Sequence, residues 1–115
     1  MQSTTSTHRL ILLENISPKF FQISADKCGT HSMQTIICMI SIEEEEKMVE
    51  SAIKDKILDM SCDGNATHVL QKLLTSLSED KLDYVFYPVI EDFVNLSMDA
   101  NGLCVLKKVI GKFVK

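Results

Sequence analysis

A four-residue signature, apolar-Ser-apolar-Asp, occurs three times in this chain: Ile23-Ser24-Ala25-Asp26, Met60-Ser61-Cys62-Asp63 and Leu96-Ser97-Met98-Asp99, at intervals of 37 and 36 residues. The apolar residues around it keep the same register. Upstream the columns are Leu12, Val49, Val85; Ile16, Ile53, Val89; and Phe20, Ile57, Phe93. Downstream they are Met33, Leu70, Leu106; Ile36, Leu73, Val109; and Ile37, Leu74, Ile110. Self-similarity at a fixed period of this length is the mark of a repeat array, in which each unit buries its apolar faces against its neighbours.

The period inside each unit is helical. Met33, Ile36, Ile37 and Ile40 occupy the i, i+3, i+4, i+7 stripe of an amphipathic helix, as do Leu70, Leu73, Leu74, Leu77 and Leu106, Val109, Ile110, Phe113. A second helix is predicted over 43–53, with Met48, Val49, Ala52 and Ile53 inward. Its equivalent is predicted over 79–87, ended by Pro88, since proline cannot extend a helix interior. A shorter third helix carries Ile57, Leu58 and Met60, and again Phe93, Val94 and Leu96; Pro18 stands at the first helical position of the earliest unit. The expected fold is therefore all-α: a curved α-solenoid of three-helix repeats. Its segments are an N-terminal stretch 1–17 holding the last helix of a preceding partial repeat (His8 to Ile16), repeats 18–54 and 55–90, and a partial repeat 91–115. Units cut at both ends predict a piece of a longer protein, with exposed apolar faces and marginal stability when isolated.

Charge is distributed by repeat. The net charge is −4 and the pI about 5.3, which argues against indiscriminate attraction to polyanions. Yet all 16 acidic residues avoid three windows, 27–42, 64–78 and 100–115. These windows hold the same helix of each unit, along with Lys27, Lys72, Lys107, Lys108, Lys112 and Lys115. Stacking would align those helices into one neutral-to-basic face, suited to a polyanion running along it. The run Glu43–Glu46 reads as a solvated helix start favoured by the macrodipole. The longest stretch without charge, Cys28 to Ile42, is too short and too polar to span a bilayer. No secretory signal is visible, and a cytoplasmic protein without membrane association is expected. Cys28, Cys38, Cys62 and Cys104 form no CxxC pair and read as reduced packing residues rather than as disulfides or zinc ligands.

On the acid-free helix a polar pattern repeats: Thr30-His31-Ser32-Met33-Gln34, then Thr67-His68-Val69-Leu70-Gln71, then Leu103-Cys104-Val105-Leu106-Lys107. The first and fifth residues lie one turn apart on one face. A Thr hydroxyl with a Gln amide offers donors and acceptors to one base edge, and a flat imidazole beside them can stack on a base. Such residues can also be no more than the polar edge of an amphipathic helix. No nucleophile–base pair, phosphate-cradling loop or metal spacing appears, so neither an enzyme nor a cofactor is expected.

The stretches Asp-Lys-Cys-Gly-Thr-His-Ser-Met-Gln (26–34), Asp-Gly-Asn-Ala-Thr-His-Val-Leu-Gln (63–71) and Asp-Ala-Asn-Gly-Leu-Cys-Val-Leu-Lys (99–107) closely resemble the repeat signature of the Pumilio (PUF) family, over residues 8–115. The resemblance implies an armadillo-like superhelix. It also implies sequence-specific binding of single-stranded mRNA, usually in 3′ untranslated regions, with translational repression or decay as the outcome and repressor or deadenylase proteins as partners on the convex face. Carried over by position, Thr30 and Gln34 would contact one base edge with His31 stacking, and Thr67, Gln71 and His68 would serve its neighbour. The pairing of a small residue with Gln leans toward adenine at both. The third copy departs from the pattern: Leu103 is apolar and Lys107 replaces Gln, leaving Cys104 at the stacking position and no edge-reading pair. Lys72, Lys107 and Lys108 are the candidate phosphate contacts. The alternative reading is a helical-repeat scaffold for proteins, or a binder of structured or non-specific nucleic acid such as one in ribosome assembly.

Overall fold

The computed structural model describes residues 2–113, with side chains described over 7–78 and 80–112; Lys115 and the side chain of Phe113 lie outside the described residues. The helices are α1 (Gln2–Ile16), α2 (Phe20–Ala25), α3 (Gly29–Met39), α4 (Glu43–Ile53), α5 (Ile57–Cys62), α6 (Ala66–Ser76), α7 (Asp83–Glu91), α8 (Phe93–Ser97) and α9 (Ala100–Phe113), with 3-10 turns at Ser17–Lys19 and Glu79–Lys81. No strand occurs among the described residues. Helices of equal rank lie side by side: α3 against α6, α6 against α9, and α1 against α4. The stack measures 46 × 32 × 19 Å, an elongated slab rather than a closed bundle. It is an all-α solenoid.

Most columns of the repeat become its core. Met33, Leu70 and Leu106 are buried, as are Ile37 and Leu74, Val49 and Val85, Ile53 and Val89, and Phe20 and Ile57. The outermost members of three columns differ. Leu12 is 39% exposed, Phe93 48% and Ile110 41%. At the first of these the core takes the next residue, Leu13, instead, on the α1 helix that packs against α4. Leu58 and Val94 of the short helices also stay exposed.

Three other expectations are corrected. Helix α7 does not stop at Pro88 but runs through it to Glu91. The ring removes one intrahelical donor, and the fully buried Val85 and Val89 on either side hold the helix in register. The four cysteines are free, as expected, but exposed rather than packed, each falling on a solvent-facing position of its helix or turn. Partial desolvation, together with the carboxylates of Asp99, Asp92 and Asp59, pushes the Cys62 thiol up. Finally, the run Glu43–Glu46 is not wholly solvated. Glu45 is fully buried and forms an ion pair at 2.6 Å with Arg9 of α1.

The turn into each long inner helix needs a small residue. A Cβ on Gly29 would sit 2.5 Å from the Ile23 carbonyl oxygen, and one on Gly102 2.9 Å from the Leu96 carbonyl oxygen. Ala66 fills the equivalent place in the middle repeat, fully buried. Gly29→Ala would gain about 0.5–1 kcal/mol of helix propensity but force backbone apart at a cost of about 1–3 kcal/mol. A net loss of stability is expected in urea unfolding, whereas Ala66→Gly should lose only the propensity and the small buried methyl.

Candidate nucleic-acid interface

The aspartate of each repeated tetrad shapes the start of an inner helix. Asp26 Oδ2 accepts from the backbone N–H of Cys28 (2.8 Å) and Gly29 (2.7 Å). Asp63 Oδ1 does the same for Asn65 and Ala66 (2.9 and 2.8 Å), and Asp99 Oδ1 for Asn101 and Gly102 (2.9 and 2.8 Å). The N–H groups of Gly29 and Cys28 hold the Asp26 carboxyl below its ordinary range. The donors left open at a helix start are thus taken up locally, and α3, α6 and α9 begin at equivalent positions.

That common start sets the polar residues in register. Helices α3, α6 and α9 carry no acidic residue, and they present His31 and His68 as exposed side chains, with Gln34 and Gln71 half-buried one turn on. Thr30 and Thr67 are buried instead. Their hydroxyls are already engaged: Thr30 Oγ1 donates to the Asn65 carbonyl (2.9 Å) and accepts from Gln34 Nε2 (3.3 Å). Thr67 Oγ1 donates to the Asn101 carbonyl (3.4 Å) and accepts from Gln71 Nε2 (3.1 Å). The groups of each pair left facing outward are therefore the Gln Oε1 and its second N–H, one acceptor and one donor.

The repeats meet in a cleft of about 270 Å³ lined by Gln34, His68, Gln71, Lys72, Thr75 and Lys108, drawn from three successive repeats. It brings together two predicted edge readers, one predicted stacking residue and two predicted phosphate contacts. Thr30, Thr67, His31, Cys104 and Lys107 lie outside it, the last three exposed along the same helices. Leu103 is half-buried and, lacking a hydroxyl, cannot orient the exposed Lys107 as Thr30 and Thr67 orient glutamine. Thr75, whose Oγ1 donates to the Lys72 carbonyl (3.0 Å), was not singled out by the sequence, since serines and threonines are common on polar helix faces.

Negative charge collects elsewhere. A separate cleft of about 350 Å³ between α4 and α7 is lined by Glu43, Glu46, Glu50, Asp80 and Asp83, with Lys47, Lys81 and Tyr84. Burial, with Glu50 and Glu46 nearby, pushes the Tyr84 phenol up, and its hydroxyl makes no hydrogen bond. No acidic side chain lines the cleft of Gln34, His68 and Gln71. Among the described residues no group of His, Cys, Asp or Glu could hold a metal, and no helix is long and apolar enough to cross a membrane.

Comparison with known proteins bears on the fold and the family. The family model for the Pumilio-family RNA binding repeat matches residues 56–86 and 92–113. The chain is 26% identical over 107 residues to the Pumilio domain-containing protein C6G9.14 of Schizosaccharomyces pombe, covering 93% of this chain and 16% of that protein. It is 32% identical over 106 residues to Pumilio homolog 12 of Arabidopsis thaliana, covering 90% and 18% respectively. Among solved structures, the Puf4 RNA binding domain bound to the HO endonuclease RNA 3′ UTR recognition sequence superposes with a TM-score of 0.87 at 28% identity, over 90% of this chain and 32% of that one. The chain thus spans less than a fifth of these curated relatives and about a third of the solved domain.

Proposed function

The chain belongs to the Pumilio family of RNA-binding repeats, and from that premise we propose that its α3–α6–α9 face binds single-stranded RNA and reads bases in succession. The observation that carries this reading is the cleft in which Gln34, His68 and Gln71 from adjoining repeats converge with Lys72 and Lys108, free of acidic residues. Each glutamine offers the edge of one base an acceptor and a donor. Such a pair complements adenine, which presents an amino donor beside a ring-nitrogen acceptor. His31 and His68, exposed one residue after each threonine, supply flat faces for stacking. The third repeat has no such pair, and Lys107 and Lys108 act there on phosphates. The messages are taken at 3′ untranslated regions in the cytoplasm, for translational repression or decay, in concert with repressor or deadenylase proteins.

The test is a binding series with single-stranded RNA oligonucleotides, each base varied in turn, at two salt concentrations. Stacking is worth about 1–3 kcal/mol per base, so His31→Ala and His68→Ala should each weaken binding by roughly 5- to 150-fold. Gln34→Ala and Gln71→Ala should relax preference at one base each. Lys107→Ala should weaken all sequences about equally and reduce the salt slope by about 1. Equal affinity for the RNA and for its scrambled sequence would overturn the reading in favour of non-specific binding. Absence of RNA binding would leave the protein-scaffold alternative.

A further inference from the structure

Asparagine stands two residues after the signature aspartate in the second and third repeats, at Asn65 and Asn101, where the first repeat has Cys28. Neither asparagine reaches the exposed reading groups. Each instead ties its own helix start to the repeat before it. Asn65 Nδ2 donates to the Ala25 carbonyl at the end of α2 (2.9 Å), and Asn101 Nδ2 donates to the Cys62 carbonyl at the end of α5 (3.3 Å). The backbone carbonyl of the same asparagine then receives the threonine hydroxyl of that preceding repeat.

We infer that Asn65 and Asn101 are positioning residues for base selection, each fixing the reader of the repeat before its own: Asn65 that of Thr30 and Gln34, Asn101 that of Thr67 and Gln71. The argument rests on hydrogen-bond polarity. A carbonyl can only accept, so the threonine must spend its single proton on it. The threonine oxygen is then left only as an acceptor, and the glutamine must turn its NH₂ inward. That fixes Oε1 and the second N–H outward. Without the clamp the carbonyl drifts, the hydroxyl is free to rotate, and the amide can present either of its ends to a base. Selectivity at one base is thus set partly by a residue of the next repeat, which touches no RNA. This inference builds on the RNA-reading proposal above, but its first consequence concerns the free protein.

Two measurements on the full chain test it. The first is ¹⁵N relaxation of the Gln34 and Gln71 side-chain amides. Both should be ordered in the unaltered protein. Asn65→Ala should loosen Gln34 and leave Gln71 ordered, and Asn101→Ala should do the reverse. Asn65→Cys, which places there the residue the first repeat carries, removes the amide donor with little change in size and serves if the alanine variant folds poorly. Unchanged amides, or equal loosening of both by either variant, would overturn the inference. The second measurement is selection from a random pool of single-stranded RNA nonamers. Loss of one hydrogen bond's ordering should lower discrimination by roughly 2- to 10-fold at the base read by Gln34 for Asn65→Ala, and at the base read by Gln71 for Asn101→Ala. Uniform loss of affinity with intact preference would show the asparagines to be merely structural and overturn the inference. If the unaltered chain selects no sequence, the RNA-reading proposal fails, while the amide measurement still decides whether the clamp exists.

Discussion

Leu70→Ala should lower the unfolding free energy by about 2–5 kcal/mol, the range for emptying a closed core site. Leu70 has no exposed surface and sits on α6, which packs between α3 and α9 and over α5. A cavity there weakens the contact of the middle repeat with both neighbours. In an array whose stability is a sum of repeat and nearest-neighbour contributions, that is the most damaging place to remove packing. Domains of this size hold about 5–15 kcal/mol in all, so the variant should be partly unfolded well below the denaturant midpoint of the unaltered chain. Ile110→Ala provides the contrast. It belongs to the column of Ile37 and Leu74 but is 41% exposed, and should cost under about 1 kcal/mol. Urea unfolding followed by circular dichroism measures both. Equal losses at the two sites would mean that the middle repeat is not the keystone of the stack.

That contrast shows what can be read from a repeat sequence and what cannot. Spacing and polarity identify which residues share a column, and Met33, Leu70 and Leu106 are buried accordingly. Phe93 and Ile110 share columns with buried residues yet stay 48% and 41% exposed, while Leu106 and Val109 of the same unit are buried, so column membership alone does not settle burial. The same limit explains the cysteines. Their small apolar side chains suit a core, but position on the helix decides burial, and all four fall outward. The polar pairs Thr30–Gln34 and Thr67–Gln71 are legible from their four-residue spacing. The direction of their hydroxyl protons is not, because it depends on carbonyls 35 and 34 residues away. Asn65 and Asn101 escape notice for a related reason: their role lies in a contact with the preceding repeat, and the first repeat replaces them with Cys28. Pro88 departs in the other direction, since a local rule about helix interiors yields where flanking residues are well packed.

Glu45→Ala should cost about 2–4 kcal/mol, an effect no reading of Glu43–Glu46 as a solvated run would anticipate. Its carboxylate is buried and satisfied on every side: Oε1 accepts from the backbone N–H of Ser41 (2.9 Å) and Ile42 (3.3 Å), and Oε2 pairs with Arg9 Nε at 2.6 Å. The first two bonds cap the start of α4, and the third pins α1 onto it. The alanine variant leaves those two N–H groups and a guanidinium only 22% exposed without their carboxylate. Burial alone would raise the Glu45 carboxyl, but the Ser41 N–H, the Arg9 hydrogen bond, the Ile42 N–H and the Arg9 charge outweigh it and hold the group below its ordinary value of 4.5. A carboxyl lower in the folded than in the unfolded chain binds fewer protons when folded. Its contribution is complete above the unfolded value and lost as pH falls through the folded one. The unaltered chain should therefore lose stability on acidification from about pH 5 downward, and Glu45→Gln, which cannot ionise, should show a shallower loss over that window. Urea midpoints measured between about pH 7 and about pH 3 check this. Parallel acid limbs for the two proteins would mean that Glu45 is not charged in the fold, and that α1 is held to α4 by Leu13 and its apolar neighbours alone.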